Sequence, residues 1–370
     1  MKHENLRHFF RGAGVLGMLL ASGALWAGSW VDRTRLDGFF SARYSITDEK
    51  EHWLGGPDED GINKDGSFYG TKLGLNITSR INDRVTVATQ LFAPIQENSY
   101  DMHVDWAFAT FALNEQWSLR AGKIKYPVGI VNEYVEVGVT YPWIQAPLVI
   151  YSENMEGPQA TRESYTGASL LWNMYSGSWN WGLDLFAGEV DLESMNIKKM
   201  AGVTGRANWD EMVIFQLSYY QGDMKIGSGA LAAMPMMRPM NNRRHSAVVG
   251  GVKVDWNNLI AYAEAASVTM DFEDMNGVAA GDSDSWYATL GYRFGKWLPH
   301  LTYQDWSRDN GNGHQIATLG LNYSVSSKVV LKGELSQVDT KGGGLFITDT
   351  DGMSIDGSTN MFSVALDMVF

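Results

Sequence analysis

Large apolar residues recur at every second position through most of the chain. In the final stretch, Phe362, Val364, Leu366, Met368 and Phe370 share one parity, while Ser363, Ala365 and Asp367 share the other. A period of two marks a strand with one apolar face and one small or polar face. Near the start, Gly38, Phe40, Ala42, Tyr44 and Ile46 oppose Ser41, Arg43 and Ser45. The alternation predicts about sixteen strands, at 37–46, 69–78, 85–91, 104–110, 117–125, 166–174, 179–187, 201–209, 213–220, 248–256, 259–270, 286–294, 300–304, 317–323, 329–336 and 361–370. In the fourth, Val104, Trp106, Phe108 and Thr110 are expected on the apolar face, opposite His103, Asp105, Ala107 and Ala109.

The connections between these strands alternate as well. Seven are turns of two to four residues, such as Ser176-Gly177-Ser178 and Asn257-Asn258, and eight are longer loops, mostly rich in Gly, Asp and Asn. A soluble sandwich also alternates, but it does not keep short and long connections in strict succession around the whole chain. A membrane imposes that regularity. Hydrocarbon offers no partner to a backbone N–H or C=O, so a spanning sheet must close on itself. An even strand number then places both chain ends and the short turns on the periplasmic side. The expected fold is all-β: a transmembrane antiparallel β-barrel of about 16 strands. Trp117, Trp179, Trp209, Trp256, Trp286, Trp297, Tyr44 and Tyr323 fall near strand ends, where amphipathic rings suit the headgroup level.

Composition narrows the choices. The chain has 370 residues and no Cys, which excludes disulfides and thiolate chemistry. Lys2, Arg7 and Arg11 precede the apolar run Gly12–Ala24, and small residues stand at Ala24 and Ala27. Residues 1–27 therefore read as a secretory signal peptide, removed after Ala27 or Ala24. Residues 28–370, the remaining single barrel domain, carry 26 basic and 41 acidic side chains, net −15. That balance argues against a nucleic-acid partner. His52, His103, His245, His300 and His314 are scattered, with no metal-ligand spacing and no defensible catalytic partner. Neither an enzyme, nor a metal site, nor a cofactor is expected.

With its leader, its alternating connections and its terminal strand ending on Phe370, the chain resembles the sixteen-stranded outer-membrane porins of Gram-negative bacteria. The resemblance implies a passive, water-filled channel in the outer membrane, a homotrimer, and contacts with lipid and lipopolysaccharide. It also implies that Phe362, Val364, Leu366, Met368 and Phe370 form the assembly signal read by the barrel-insertion machinery. Family members carry an inward-folded loop after the fifth strand. Here the long connection 127–163 comes after Leu119-Arg120-Ala121-Gly122-Lys123, but lacks the Pro-Glu-Phe-Gly-Gly motif of the enteric members.

That connection is the expected constriction loop. It carries Glu133, Glu136, Glu153 and Glu156, and its apolar part Tyr141-Pro142-Trp143-Ile144 is expected to pin it to the wall. Arg43, Lys72, Arg120, Lys123, Arg206 and Arg293 are the expected basic wall, alongside Gln90, Asp105, Lys253, Glu264, Lys332 and Glu334 on the same inward parity. Opposed charges across a narrow gap would orient polar solutes and set ion preference. The net charge predicts a weak preference for cations among small hydrophilic solutes. Two alternatives stay open. One is a substrate-selective channel, for example for sugars stacking on Tyr126, Tyr134, Tyr141, Trp143, Tyr220 and Tyr262. The other is a structural or adhesin-type barrel.

Overall fold

The computed structural model describes residues 32–50, 52–53, 61–94, 101–151, 164–191, 195–228, 235–270, 282–309, 311–342, 346–347 and 356–370. The expected leader lies outside these residues, as do Glu153 and Glu156. Sixteen strands form one closed antiparallel barrel. They are β1 (Thr34–Thr47), β2 (Lys72–Arg80), β3 (Val85–Pro94), β4 (His103–Ala112), β5 (Trp117–Lys125), β6 (Ser164–Ser176), β7 (Trp179–Asp191), β8 (Met195–Trp209), β9 (Val213–Ile226), β10 (Arg244–Trp256), β11 (Leu259–Met270), β12 (Ser283–Tyr292), β13 (Trp297–Arg308), β14 (Gly313–Ser326), β15 (Val329–Lys341) and β16 (Gly357–Val369). A separate two-residue ladder joins His52–Trp53 to Phe346–Ile347.

Each strand pairs with its neighbours in sequence, and β16 closes the sheet on β1, from Phe39 opposite Val369 to Thr47 opposite Met361. Gly38 and Phe370 exchange both backbone hydrogen bonds at 2.9 Å, so pairing continues past the last strand residue. Several strands run beyond their predicted ends. The predicted loop at 189–199 is largely strand, and β13 begins at Trp297 rather than near His300.

Parity decides which way each side chain points. Leu290, Leu301, Leu319, Leu335 and Phe362 are register neighbours across β12–β16 and are all 45–60 % exposed, forming an apolar row on the outside. One residue along, Thr289, Thr302, Thr318 and Ser336 are neighbours in a buried row inside. The barrel is thus apolar outside and hydrogen-bonded within, the arrangement a bilayer selects. The outer face differs around the circumference. Ala109, Ala121, Ala168, Ala187 and Ala201 form a second lateral row across β4–β8, flat where the leucine row is bulky.

Two expectations are corrected. In β4 the register jumps, with Gln90 opposite Trp106 but Leu91 opposite Val104. Asp105 is the extra residue of this bulge, and one extra residue reverses the facing of the residues beyond it. Val104 and Phe111 face outward, at 43 % and 39 % exposure, while Phe108 packs against the interior cluster. Phe108 and Trp106 stack on one another at 5.2 Å. The second correction concerns the inner face, which is not uniformly polar. A large apolar cluster joins Tyr126, Val128, Ile130, Val131, Val149 and Tyr151 to the inward residues Phe186, Tyr220, Val249, Val268 and Tyr287.

Candidate functional site

The connection leaving β5 begins at Tyr126-Pro127, where Pro cannot donate to a ladder and ends the pairing. It runs through two 3-10 turns, Asn132–Tyr134 and Gly138–Thr140, and a helical turn, Leu148–Tyr151. These short turns leave many backbone groups without intrasegment partners, and side chains of distant strands satisfy them. The Pro127 carbonyl accepts from Thr204 Oγ1 at 2.7 Å, Pro142 O accepts from Asn322 Nδ2 at 2.8 Å, and the Ile144 N–H donates to Glu334 at 2.9 Å. Trp143 Nε1 lies 2.9 Å from Thr289 Oγ1 and 3.0 Å from Thr302 Oγ1.

Two charged anchors stand out. The Lys332 ammonium donates to the carbonyls of Gly138, Tyr141 and Trp143 at 2.6, 2.9 and 2.7 Å, and meets Asp367 at 2.9 Å. Asp367 also accepts from Ser41 at 2.5 Å. The backbone passes so close here that a Cβ on Gly138 would collide with the Asp367 carboxyl. The second anchor, Glu264, accepts from Ile130 N–H at 2.8 Å, from Tyr287 at 2.6 Å and from the Tyr151 hydroxyl. Carboxylates that collect several donors hold backbone firmly, because charge-assisted bonds are about twice as strong as neutral ones.

The predicted site residues divide into groups. Glu136 and Lys72 form a buried pair at 2.6 Å. Glu133 sits between Arg120 and Arg206, 3.9 Å from each. Arg120 also lies over the Phe108 ring at 4.5 Å, a contact that exists only because the β4 bulge turns Phe108 inward. Arg43 is buried, and its Nε and Nη2 make no hydrogen bond. Arg293 is placed apart from the segment's carboxylates and forms a two-bond pair with Asp255 at 2.6 and 2.8 Å. Lys123 is not on the inner wall. It shares the outward parity of Leu119, pairs with Ala107 in register, and donates to Val104 O at 2.8 Å. Asp367 is fully buried. Lys332, Asp367 and Glu264 are the anchors that sequence reasoning left as ordinary wall residues; their parity was visible, but their partners are not.

Three cavities border the segment. One of about 210 Å³ lies toward the long connections and is lined by Arg43, Lys72, His103, Asp105, Lys125 and Glu136. Two lie toward the short turns: about 220 Å³ beside Glu133, Asp184 and Arg206, and about 480 Å³ beside Pro142, Lys253, Asp255, Tyr262 and Arg293. Of the expected aromatic track, Tyr134 lines the 220 Å³ cavity and Tyr141 and Tyr262 line the 480 Å³ one. Tyr126, Tyr141, Trp143, Tyr220 and Tyr262 are all buried, and their rings pack on one another in the apolar cluster, edge to face for Tyr126 against Tyr220 at 5.1 Å and tilted for Tyr141 against Trp143 at 5.7 Å. Among the described residues no group of three His, Asp or Glu side chains is placed to hold a metal ion.

Comparison with known proteins agrees with this architecture. Residues 174–343 match the family model described as Gram-negative porin. The anion-selective porin from Comamonas acidovorans superposes with a TM-score of 0.62 at 11% identity, covering 91% of this chain and 99% of that one. OmpF of Salmonella typhi, solved in complex with daunomycin, gives 0.60 at 13% identity, covering 91% and 97%. OmpT, an outer membrane protein of Vibrio cholerae solved in a trimer form, gives 0.58 at 11% identity, covering 91% and 99%. At these identities the likeness is one of fold. No curated relative matches the sequence.

Proposed function

We propose that this sixteen-stranded antiparallel barrel, which matches the Gram-negative porin family and is integral to the outer membrane, conducts small hydrophilic solutes passively along a path narrowed by the connection 127–163. One observation carries the constriction: Lys332, on the inner parity of β15, binds three carbonyls within residues 138–143 of that connection. An external loop would have no reason to spend those carbonyls on the inside of the far wall. On this reading Glu133 and Glu136 are the carboxylates of the eyelet, and Arg43, Lys72, Arg120 and Arg206 its basic side. Four basic groups face two carboxylates here, but the wider interior adds Lys125, Lys253, Arg293 and Lys332 against Asp105, Asp184, Asp255, Glu264, Glu334 and Asp367, so the two signs balance and the interior contributes little net field. The acidic balance of the whole chain then tips selectivity weakly toward cations.

Planar-bilayer recording of the refolded chain tests this. Discrete passive conductance is expected, with a small reversal potential of cation sign in a salt gradient. Replacing residues 132–145 by a Gly-Ser linker should raise the conductance by about twofold or more. An unchanged conductance would remove the constriction, and anion preference the selectivity. Burial of five of the six rings, with Tyr134 the exception, favours the general channel over a sugar-stacking one.

Assembly belongs to the same reading. The alanine row on β4–β8 is a flat outer surface against which two further copies can pack, and the chain is proposed to be a homotrimer. Phe362, Val364, Leu366, Met368 and Phe370 are proposed as the signal for the insertion machinery. Unheated gels of outer membranes read both: Ala121→Trp should yield folded monomer, and loss of Phe370 should lower the amount of folded barrel.

A further inference from the structure

Away from these anchors, at the long-connection end of the β8–β11 wall, sulfur and imidazole side chains gather on the inner face. Gly222 pairs with His245, and His245 pairs with Met270. Met200 flanks Gly222 where the β8–β9 register slips, 3.4 Å from its Cα to a carbon added at that glycine. Met224 lies two residues beyond Gly222 and keeps its facing. Met200, Met224 and Met270 are buried in the apolar cluster, and Met240, from the 3-10 turn Pro235–Met240, packs against it.

His245 is fully buried within this group. Its Nε2 lies 3.0 Å from the Tyr220 hydroxyl, and its Nδ1 has no hydrogen-bond partner. Packing explains why methionines sit here, but not why an imidazole nitrogen does. Thioethers cannot donate to it. In the tautomer that gives Nε2–H to the Tyr220 hydroxyl, Nδ1 is a bare lone pair, the form in which histidine binds metals. Asp223, next to Met224, has the opposite parity and pairs with Lys199 at 3.1 Å, and Asp282 Oδ1 is taken up by the Met270 backbone N–H at 3.0 Å. A neutral set of thioethers and one imidazole disfavours hard or divalent ions and selects soft monovalent ones.

We propose that this cluster binds Cu(I) or Ag(I), through His245 Nδ1 and the sulfurs of Met224 and Met270, with Met240 on the open side. The Met200 sulfur already accepts the Tyr126 hydroxyl and is a flanking residue. The site is separate from the proposed channel path and does not depend on it.

The test uses the refolded full chain in detergent, without oxygen, with Cu(I) supplied by competition from a bicinchoninate-type chelator. One Cu(I) per chain is expected, with no retention of Zn(II). H245Q and the double variant M224L/M270L should each weaken Cu(I) binding by about tenfold or more, while heat-shifted gel mobility, the mark of a folded barrel, is retained. X-ray absorption of copper on the wild-type chain provides a reading that needs no variant: a mixed sulfur and nitrogen shell is expected. No stoichiometric Cu(I), undiminished binding in both variants, or a shell of oxygen and nitrogen alone would each overturn the proposal.

Discussion

Lys332 shows how much a single ammonium can organise. It has three N–H bonds and four oxygens around it, three of them backbone carbonyls and one a buried carboxylate. Breaking a buried pair from one side leaves an uncompensated charge, which costs about 3–5 kcal/mol. Lys332→Met should therefore lower the unfolding free energy by that order, read from urea titration of tryptophan fluorescence. Lys332→Met/Asp367→Asn removes both charges and should recover part of the loss. If the double variant is as unstable as the single one, the orphaned carbonyls rather than the stranded carboxylate dominate. Arg is a poor replacement, because a planar fork cannot point at the three carbonyls of Gly138, Tyr141 and Trp143 at once.

At the level of the strand, the β4 bulge decides which residues meet the interior. Side-chain facing is testable by cysteine labelling. Ala107→Cys should react with a membrane-soluble maleimide and Phe108→Cys should not; the reverse pattern would restore the unbulged register. The same strand explains what could be foreseen. Sixteen strands were legible because alternation repeats and connections keep their rhythm. The bulge was not, since Asp105 has nothing in its neighbourhood that announces an extra residue; only the partner strand's register reveals it. The apolar interior was half legible. Phe186 and Tyr220 fell on the inward parity, but a parity rule that equates inward with polar gave no reason to pack them together. Of the site, the pairing of Glu136 with Lys72 agrees with opposite charge on facing elements. Lys123 went the other way because Arg120 and Lys123, three apart on a strand, cannot share a face.

Across the whole molecule, the interior is tied together by contacts between residues far apart in sequence. The connection after β5 touches inward side chains of β2, β8, β11, β12, β13, β14, β15 and β16. Its three carbonyls held by Lys332 precede that residue by 194, 191 and 189 positions. The order of synthesis therefore matters. Residues 127–151 exist long before the strands that hold them, and Asp367, which neutralises Lys332, arrives last of all. Until β16 meets β1, the connection has an incomplete socket. A chain halted at that point should be cut by chymotrypsin at Tyr134, Tyr141 or Trp143, whereas the closed barrel resists. Cleavage sites elsewhere in a chain lacking β16, with this connection spared, would mean that the early strands alone secure it. Sealing the wall and seating the segment within it would then be one event in time, and with the segment as the proposed constriction a maturing barrel would pass from open sheet to narrowed passage without an interval as a wide, unguarded hole.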